Sequence, residues 1–405
     1  MHASQKQRWS WALYDWANSA FATSILAAFF PIFLNRYWVA DAGNSTVILG
    51  FGNAAAAAVI VVLAPLLGAM ADAGHSRLGW LIRLAVVGMV ATGALAWVPQ
   101  GHWQWAIALF VIANFGFMGA NTLYDSLIAV VAKPGEREST SALGYAMGYL
   151  GGALLFGLHM GMVSRPQWFG LPDASTAVRV AMVSVAIWWF LFALPLFRSG
   201  IEPTRVQFRW REGLARVRAT VADLASYRAV WWFLIAYWFY IDGVHTVVRM
   251  AVDFGARLGF DNTTLLTTLL LSNLVGFPAT LMYGKLGRRV GPRVAILIGL
   301  GAYCVIALSA FTIQTAGQFM AIGVAVGLVQ GGVQSMSRAL FTDLAPADKC
   351  GEFFGFYNML GKFAAVLGPM LVAAVSLMTS DPRMALGSVL ILFIVGGIML
   401  WRCPR

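Results

Sequence analysis

The chain has 405 residues, of which 60% are hydrophobic and only 11% carry a formal charge, with a net charge of +11. A soluble domain is about 25% charged, so a water-soluble enzyme or binding module is excluded and a chain built for hydrocarbon remains. The positive balance does not point to nucleic acid, because its distribution follows membrane topology instead.

A hydrocarbon core about 30 Å thick is crossed by roughly 20 apolar helical residues. On that ruler the sequence predicts an all-α integral membrane protein with twelve spans. They lie at 10–38, 46–71, 77–98, 102–131, 138–163, 174–197, 229–258, 262–284, 291–313, 316–342, 350–378 and 384–401. Helices are favoured over a barrel, since runs such as NAAAAAVIVVLAPLLG (53–68) lack the period-two alternation of membrane strands. The first span holds an acid and ends in PIFLNRYW (31–38), which is not the small-residue end of a cleaved signal peptide.

Span 1 opens with WALYDWANSAF (11–21). Asp15, Asn18 and Ser19 fall within about one helical turn, and Thr23 follows four residues after Ser19. An ionisable group inside a span is a functional-site hypothesis by default. After span 2 comes the loop GAMADAGHSR (68–77), which carries Asp72 and Arg77; span 4 ends with Asn121, Tyr124 and Asp125. Span 5 places Gly144, Gly148 and Gly152 four apart and adds Tyr145 and Tyr149. Small residues at that spacing let helix backbones approach closely.

The longest loop, 198–228, holds seven arginines and three acids. Trp210, Leu214, Val217, Val221 and Leu224 recur there at helical spacing with arginines between them. This predicts an amphipathic linker helix lying on the lipid surface. Span 7 then carries Asp242, His245, Thr246 and Arg249, so spans 1 and 7 share D-x-x-[N/H]-[S/T]. Span 10 carries Arg338, and span 11 carries Gly351, Gly355, Asn358 and Lys362.

Of the 28 Lys and Arg residues, Arg36, Arg165, Arg179, Arg257 and Arg383 fall on the side opposite the N-terminus, while Arg249 and Lys362 lie within spans. The rest fall on the N-terminal side, the positive-inside pattern, which predicts both termini in the cytoplasm and an even number of spans. A shift of 213 residues overlays Gly119 on Gly332, Leu127 on Leu340, Ala132 on Ala345 and Gly148 on Gly361. The loop GKLGRRVGPR (284–293) answers GAMADAGHSR (68–77). The expected organisation is therefore a six-helix bundle at 1–197, a linker at 198–228 and a second six-helix bundle at 229–405, related as parallel repeats.

This layout resembles the major facilitator superfamily, and GAMADAGHSR resembles its signature between helices 2 and 3. Asp72 and Arg77 match the acid and one basic position, although the usual basic cluster is thinned. WALYDWANSAFATSIL (11–26), GYAMGYLGG (144–152), DGVHTVVRMA (242–251) and EFFGFYNMLGKFAAVLGP (352–369) resemble the vacuole-effluxer-like family. The fungal members of that family export amino acids from vacuoles during autophagy. The resemblance implies a secondary transporter with a central site between two bundles, in a compact form suited to a bacterial inner (cytoplasmic) membrane.

On this basis the substrate or ion-coupling candidates are Asp15, Asn18, Ser19, Asp242, His245, Arg249, Lys362, Tyr149 and Asn358. A carboxylate substrate would pair with Lys362 or Arg249, and an acid would receive its amino group or a proton. Asp15, Asp242 and Lys362 remain equal candidates for the group that titrates. Asp72, Arg77, Asp125 and Arg338 are the gating candidates, with Asp125 and Arg338 at equivalent repeat positions. The expected partners are a small-molecule substrate, lipid and a coupling ion, H⁺ before Na⁺, with the protein acting as a monomer.

Cys304, Cys350 and Cys403 form neither a disulfide framework nor a metal spacing, and the five histidines build no metal motif. No nucleophile elbow or phosphate loop is present, so neither a cofactor nor an enzymatic activity is expected. Transport of lipids, drugs or other metabolites, and a non-transporting receptor, are the alternatives.

Overall fold

A computed structural model describes residues 4–38, 42–74, 76–206, 208–222, 224–363, 367–379 and 382–404. The described residues are helical and contain no strand. The first helix, α1 (Gln5–Ala20), continues as a π-helical stretch (Phe21–Phe29) into α2 (Phe30–Phe33). The helices that follow are α3 (Ala42–Ala73), α4 (Arg77–Ala94), α5 (Trp103–Val131), α6 (Arg137–Ser164), α7 (Ala174–Phe197) and the linker helix α8 (Trp210–Ala222). The second half comprises α9 (Arg228–Arg257), α10 (Asn262–Val290), α11 (Pro292–Ser309), α12 (Ala316–Leu344), α13 (Cys350–Phe363), α14 (Leu367–Met378), α15 (Pro382–Gly387) and α16 (Leu390–Arg402).

Over the described residues every span expected from hydropathy is mainly helical, the last one broken between α15 and α16. Eight helices among the described residues are long and apolar enough to cross a membrane by length and composition. The expected span at 350–378 comprises α13 and α14, with residues 364–366 outside the described set.

Helix ends follow local chemistry. Ser4 and Thr315 form capping boxes with Gln7 and Gln318 at the starts of α1 and α12, each satisfying N–H groups that have no intrahelical partner. Asp173 and Asp261 cap α7 and α10. The backbone N–H of Thr176 holds the Asp173 carboxyl below its usual range, and the Thr264 hydroxyl does the same for Asp261. Gly291, at φ 85°, ends α10, and Pro292 opens α11. Pro31 lies just beyond the π-helical stretch, where it withholds one N–H from the ladder.

The chain divides into two compact units. The first comprises Met1–Val131, Met147–Val217 and Asp348–Gly355; the second comprises Ala132–Ala146, Arg218–Ala347 and Phe356–Arg405. In the first, α1 packs on α7, α3 on α5, and α4 on both α5 and α7. In the second, α9 packs on α16, α10 on α12, and α11 on both α12 and α16. The pairing is the same in both, so the repeat read in the sequence is a repeat of helix adjacency.

Glycine sets the closest of these crossings. A Cβ on Gly116 would stand 2.6 Å from the backbone N of Gly88 and the carbonyl O of Leu84, so α5 lies directly on the backbone of α4. Forcing volume into such a contact costs about 1–3 kcal/mol. We predict that Gly116→Ala lowers the melting midpoint of the detergent-purified protein, whereas Gly157→Ala in α6, where a Cβ meets nothing within 4 Å, is tolerated. Size-exclusion chromatography after graded heating reads both.

Candidate functional site

In the first unit the span 1 acid is drawn into a polar cluster. Asp15 is half-buried, accepts from the Tyr124 hydroxyl on α5 at 3.2 Å, and lies 3.5 Å from the Ser19 hydroxyl. Trp11 stacks on Tyr124 with ring centroids 4.5 Å apart, and its indole N–H donates to the Tyr124 carbonyl at 3.0 Å, which fixes the ring that bonds Asp15. One turn on, Asn18 bonds Asn121 of α5. A Cβ on Gly148 of α6 would stand 2.7 Å from Ser19 Oγ and 3.1 Å from Asp15 Oδ1. Glycine is thus what lets α6 meet the polar face of α1.

The seam continues into the π-helical stretch after α1. Thr23 Oγ1 donates to the Ser19 carbonyl at 2.9 Å, and a Cβ on Gly152 would meet Thr23 at 3.1 Å. Further on, the fully buried His159 joins Ser24 through Nδ1 at 3.0 Å and Ser184 through Nε2 at 2.7 Å. Ser184 already donates to the Ala181 carbonyl at 2.9 Å. Its oxygen therefore accepts from Nε2–H. His159 is a tether of three segments that sequence reading missed, because lone Ser, His and Ser residues in separate spans form no motif.

The second unit repeats the motif with different surroundings. Thr246 Oγ1 lies 3.4 Å from Asp242 Oδ1, the counterpart of Ser19 and Asp15. Asp242 is fully buried, and Oδ2 accepts the backbone N–H of Gly368 on α14 at 2.8 Å. A Cβ on Gly368 would collide with Thr246 Oγ1 and stand 3.0 Å from Asp242 Oδ1. Each acid thus meets a glycine of a neighbouring helix, yet Asp15 is met by hydroxyls and Asp242 also by a fixed backbone donor. The glycine facing Asp242 is Gly368 rather than Gly361, which the 213-residue shift pairs with Gly148; Gly361 faces the Tyr237 hydroxyl instead.

His245 and Lys362 are half-buried on α9 and α13, as is Asn358, while Tyr149 is half-buried on α6. The side chain of Arg249 lies outside the described residues. Tyr237, Tyr357 and Phe341 stack in the second unit, with centroids 4.2 Å apart for Tyr237–Tyr357 and 4.9 Å for Phe341–Tyr357.

The gating candidates occupy the helix ends. In the first unit the buried Asp72 accepts the N–H groups of Gly351 and Glu352 at 3.1 and 2.9 Å, so it caps the N-terminus of α13. Charge and orphan N–H groups both favour an anion there. A Cβ on Gly355 would meet Pro65 Cα at 2.5 Å, so α3 and α13 touch backbone to backbone. Arg77 lies 3.8 Å from Asp72, pairs with Glu202 at 2.6 Å and donates to the Ser126 carbonyl at 3.4 Å. Glu202, in the loop after α7, is absent from the expected set because its partners are far away in sequence.

In the second unit Arg338 is almost wholly buried. It donates from Nε to Ser141 Oγ at 2.9 Å and from Nη2 to the Ser141 carbonyl at 3.0 Å, and it lies 4.2 Å from the Tyr145 ring centroid. Arg137 holds Asp343 at 2.5 Å. Asp125 is buried near the end of α5. Among the described residues no group of three His, Cys, Asp or Glu side chains is placed to hold a metal.

Matching helix adjacency in the two units, acids packed against glycines and a carboxylate after span 2 that caps α13 fit a transporter of the major facilitator type. The solved structures agree on the fold. The human organic anion transporter MFSD10 (TETRAN) matches with a TM-score of 0.73 at 16% identity, covering 98% of this chain and 100% of its own. The proton:xylose symporter XylE matches with a TM-score of 0.72 at 15% identity, over 98% and 95%.

Residues 37–405 match the family described as vacuole effluxer Atg22 like, and the chain belongs to that family. An MFS-type transporter, YxiO of Bacillus subtilis (strain 168), is 32% identical over 99% of this chain and 95% of its own length. Autophagy-related protein 22 of Yarrowia lipolytica (strain CLIB 122 / E 150) is 21% identical over 83% and 71%. The protein is a multi-pass membrane transporter, and its relatives are transporters rather than enzymes.

The two acids differ in what their removal strands. Asp242→Ala leaves the Gly368 N–H buried without its acceptor, which costs about 1–3 kcal/mol. Asp15→Ala frees hydroxyls beside a half-buried position, where losses stay near 0.5 kcal/mol. We expect Asp242→Ala to lower the thermal midpoint clearly more than Asp15→Ala; the reverse order would show that Asp15 is the structural acid.

Proposed function

We propose that the protein is a secondary active transporter that exports an amino acid or similar small zwitterion by alternating access, driven by an ion gradient with H⁺ before Na⁺. The observation that carries this reading is the contrast between the two acids. Asp242 is fully buried and bonded to a backbone N–H, which suits a structural role. Asp15 is half-buried and held by hydroxyls that rotate, so it suits a proton or a substrate ammonium.

Asn18 and Ser19 lie beside it, and Lys362 supplies a half-buried cation for a substrate carboxylate. In this proposal His245, Arg249, Tyr149 and Asn358 complete the polar groups along the substrate path. Asp72, Arg77, Asp125 and Arg338 are the charges that gate it. The effluxer description of the family supports outward movement. Organic anions, named for one solved neighbour, and lipids are the competing cargoes. We further propose residence in a bacterial inner membrane, with both termini on the cytoplasmic face.

Uptake into proteoliposomes from a panel of amino acids, organic anions and lipids, with and without a pH gradient, tests the substrate class. Asp15→Asn is expected to reduce gradient-driven transport roughly 10- to 100-fold, the value of a lost charge-assisted bond, and Lys362→Ala to abolish transport of carboxylate substrates alone. Wild-type transport by Lys362→Ala would remove that residue from the site. For topology, alkaline phosphatase fused at the C-terminus should be inactive, and active when inserted in the loop between α6 and α7.

A further inference from the structure

The linker helix exposes a surface that the transport reading leaves unused. At about 100° per residue, Gly213, Val217 and Thr220 fall on one side of α8, and these are turned inward. Gly213 sits on α3, where a Cβ would stand 2.6 Å from Met70 Cγ. Trp210, Leu214 and Val221 fall within about 40° of one another on the adjoining flank, with Arg211 and Arg218 beyond them. Trp210 is 47% exposed, Val221 46%, and Phe208, just before the helix, 72%. Arg211 stands over the Trp210 ring at 5.3 Å, and Arg209 and Arg218 are exposed. An apolar flank edged by arginines is complementary to an anionic lipid surface, with rings among the head groups and guanidiniums at the phosphates.

The same linker is tied to the capped helix. Glu202 pairs with Arg77, which lies beside Asp72, and Asp72 caps α13. In the second unit the equivalent arginine, Arg293, holds the segment after α16 through the backbone carbonyls of Cys403 and Pro404 at 2.8 and 3.0 Å. Tethering the tail of a half therefore needs no acid. The carboxylate at 202 adds a charge to the Arg77–Asp72 group.

We propose that Phe208, Trp210, Leu214 and Val221, with Arg209, Arg211 and Arg218, dock on anionic phospholipid head groups, and that this docking steadies the Glu202–Arg77–Asp72 latch on α13. Membrane charge then regulates the joint between α3 and α13.

The test needs no transported substrate. The full chain is placed in nanodiscs of phosphatidylcholine, with or without phosphatidylglycerol, and digested with chymotrypsin. Cleavage at Phe208 and Trp210 is compared with cleavage at Trp168 and Phe169, which are 74% and 43% exposed. Phosphatidylglycerol should slow the linker cuts about tenfold or more and leave the reference cuts unchanged. High salt, or Arg209→Gln, Arg211→Gln and Arg218→Gln together, should restore them. Equal linker cleavage in the two lipids overturns the docking, as does slowing that survives the triple substitution.

The latch is read by maleimide alkylation of Cys350, buried at the start of α13 with Sγ 3.7 Å from the Ser126 carbonyl, against half-buried Cys304 as the reference. Phosphatidylglycerol should slow it in the wild type, and Glu202→Gln should speed it in both lipids. A Cys350 rate indifferent to lipid charge and to Glu202→Gln overturns the coupling.

Discussion

An ionised carboxylate in hydrocarbon is tolerated only where donors reach it, and inside a helical bundle the nearest donors belong to the neighbouring helix. Reaching them requires that the two backbones come close. In the second unit Gly368 makes that possible, bringing its own N–H to Asp242; in the first, Asp15 takes a donor from Tyr124 on α5, and Gly148 lets α6 lie against the same polar face. At the helix ends, Gly351 would put a Cβ 2.6 Å from Asp72 Oδ1 and 2.9 Å from the Gly68 carbonyl. A side chain at any of these positions would crowd the acid and force the helices apart. The polar groups that give this fold its chemistry thus depend on the absence of side chains opposite them.

That dependence explains what could be read in the sequence. Spans, linker and repeat follow from hydropathy and period, and the shared D-x-x-[N/H]-[S/T] places a hydroxyl one turn after each acid, where Ser19 and Thr246 are found. The other half of each site comes from distant segments. Tyr124, Gly368 N–H, Ser141 and Glu202 carry no local pattern that marks them as partners. Arg338 is an example. Its repeat position points to Asp125, while its bonds to Ser141 and its place over the Tyr145 ring come from residues that no pattern marks. The linker shows another: its apolar stripe was legible, but the contact that seats it is Gly213 on Met70, leaving Trp210 and Val221 exposed.

The repeat also separates scaffolding from specialised chemistry. In each half an arginine at the start of the third helix of the repeat clamps the chain beyond the sixth, Arg77 through Glu202 and Arg293 through Cys403 and Pro404. In each half the first helix also bonds that tail: Gln7 Nε2 donates to the Ser199 carbonyl at 3.1 Å, and Cys403 Sγ lies 3.5 Å from the Ala229 carbonyl. Contacts found twice serve the six-helix fold itself.

Where the halves diverge, the fold does not require the feature. The position of Asp72 in the first loop is held by Arg288 in the second, where it is exposed. An arginine there cannot cap a helix N-terminus, since both carry positive charge. The second unit secures the start of α6 through Ser141 on Arg338 and Arg137 on Asp343 instead. One joint is thus a carboxylate on backbone N–H groups, and the other is arginines on hydroxyl, carbonyl and carboxylate oxygens. Protonation would weaken the first by removing its charge and would leave Arg338's bonds to Ser141 unchanged. Two joints of opposite chemistry thus respond differently to the same proton.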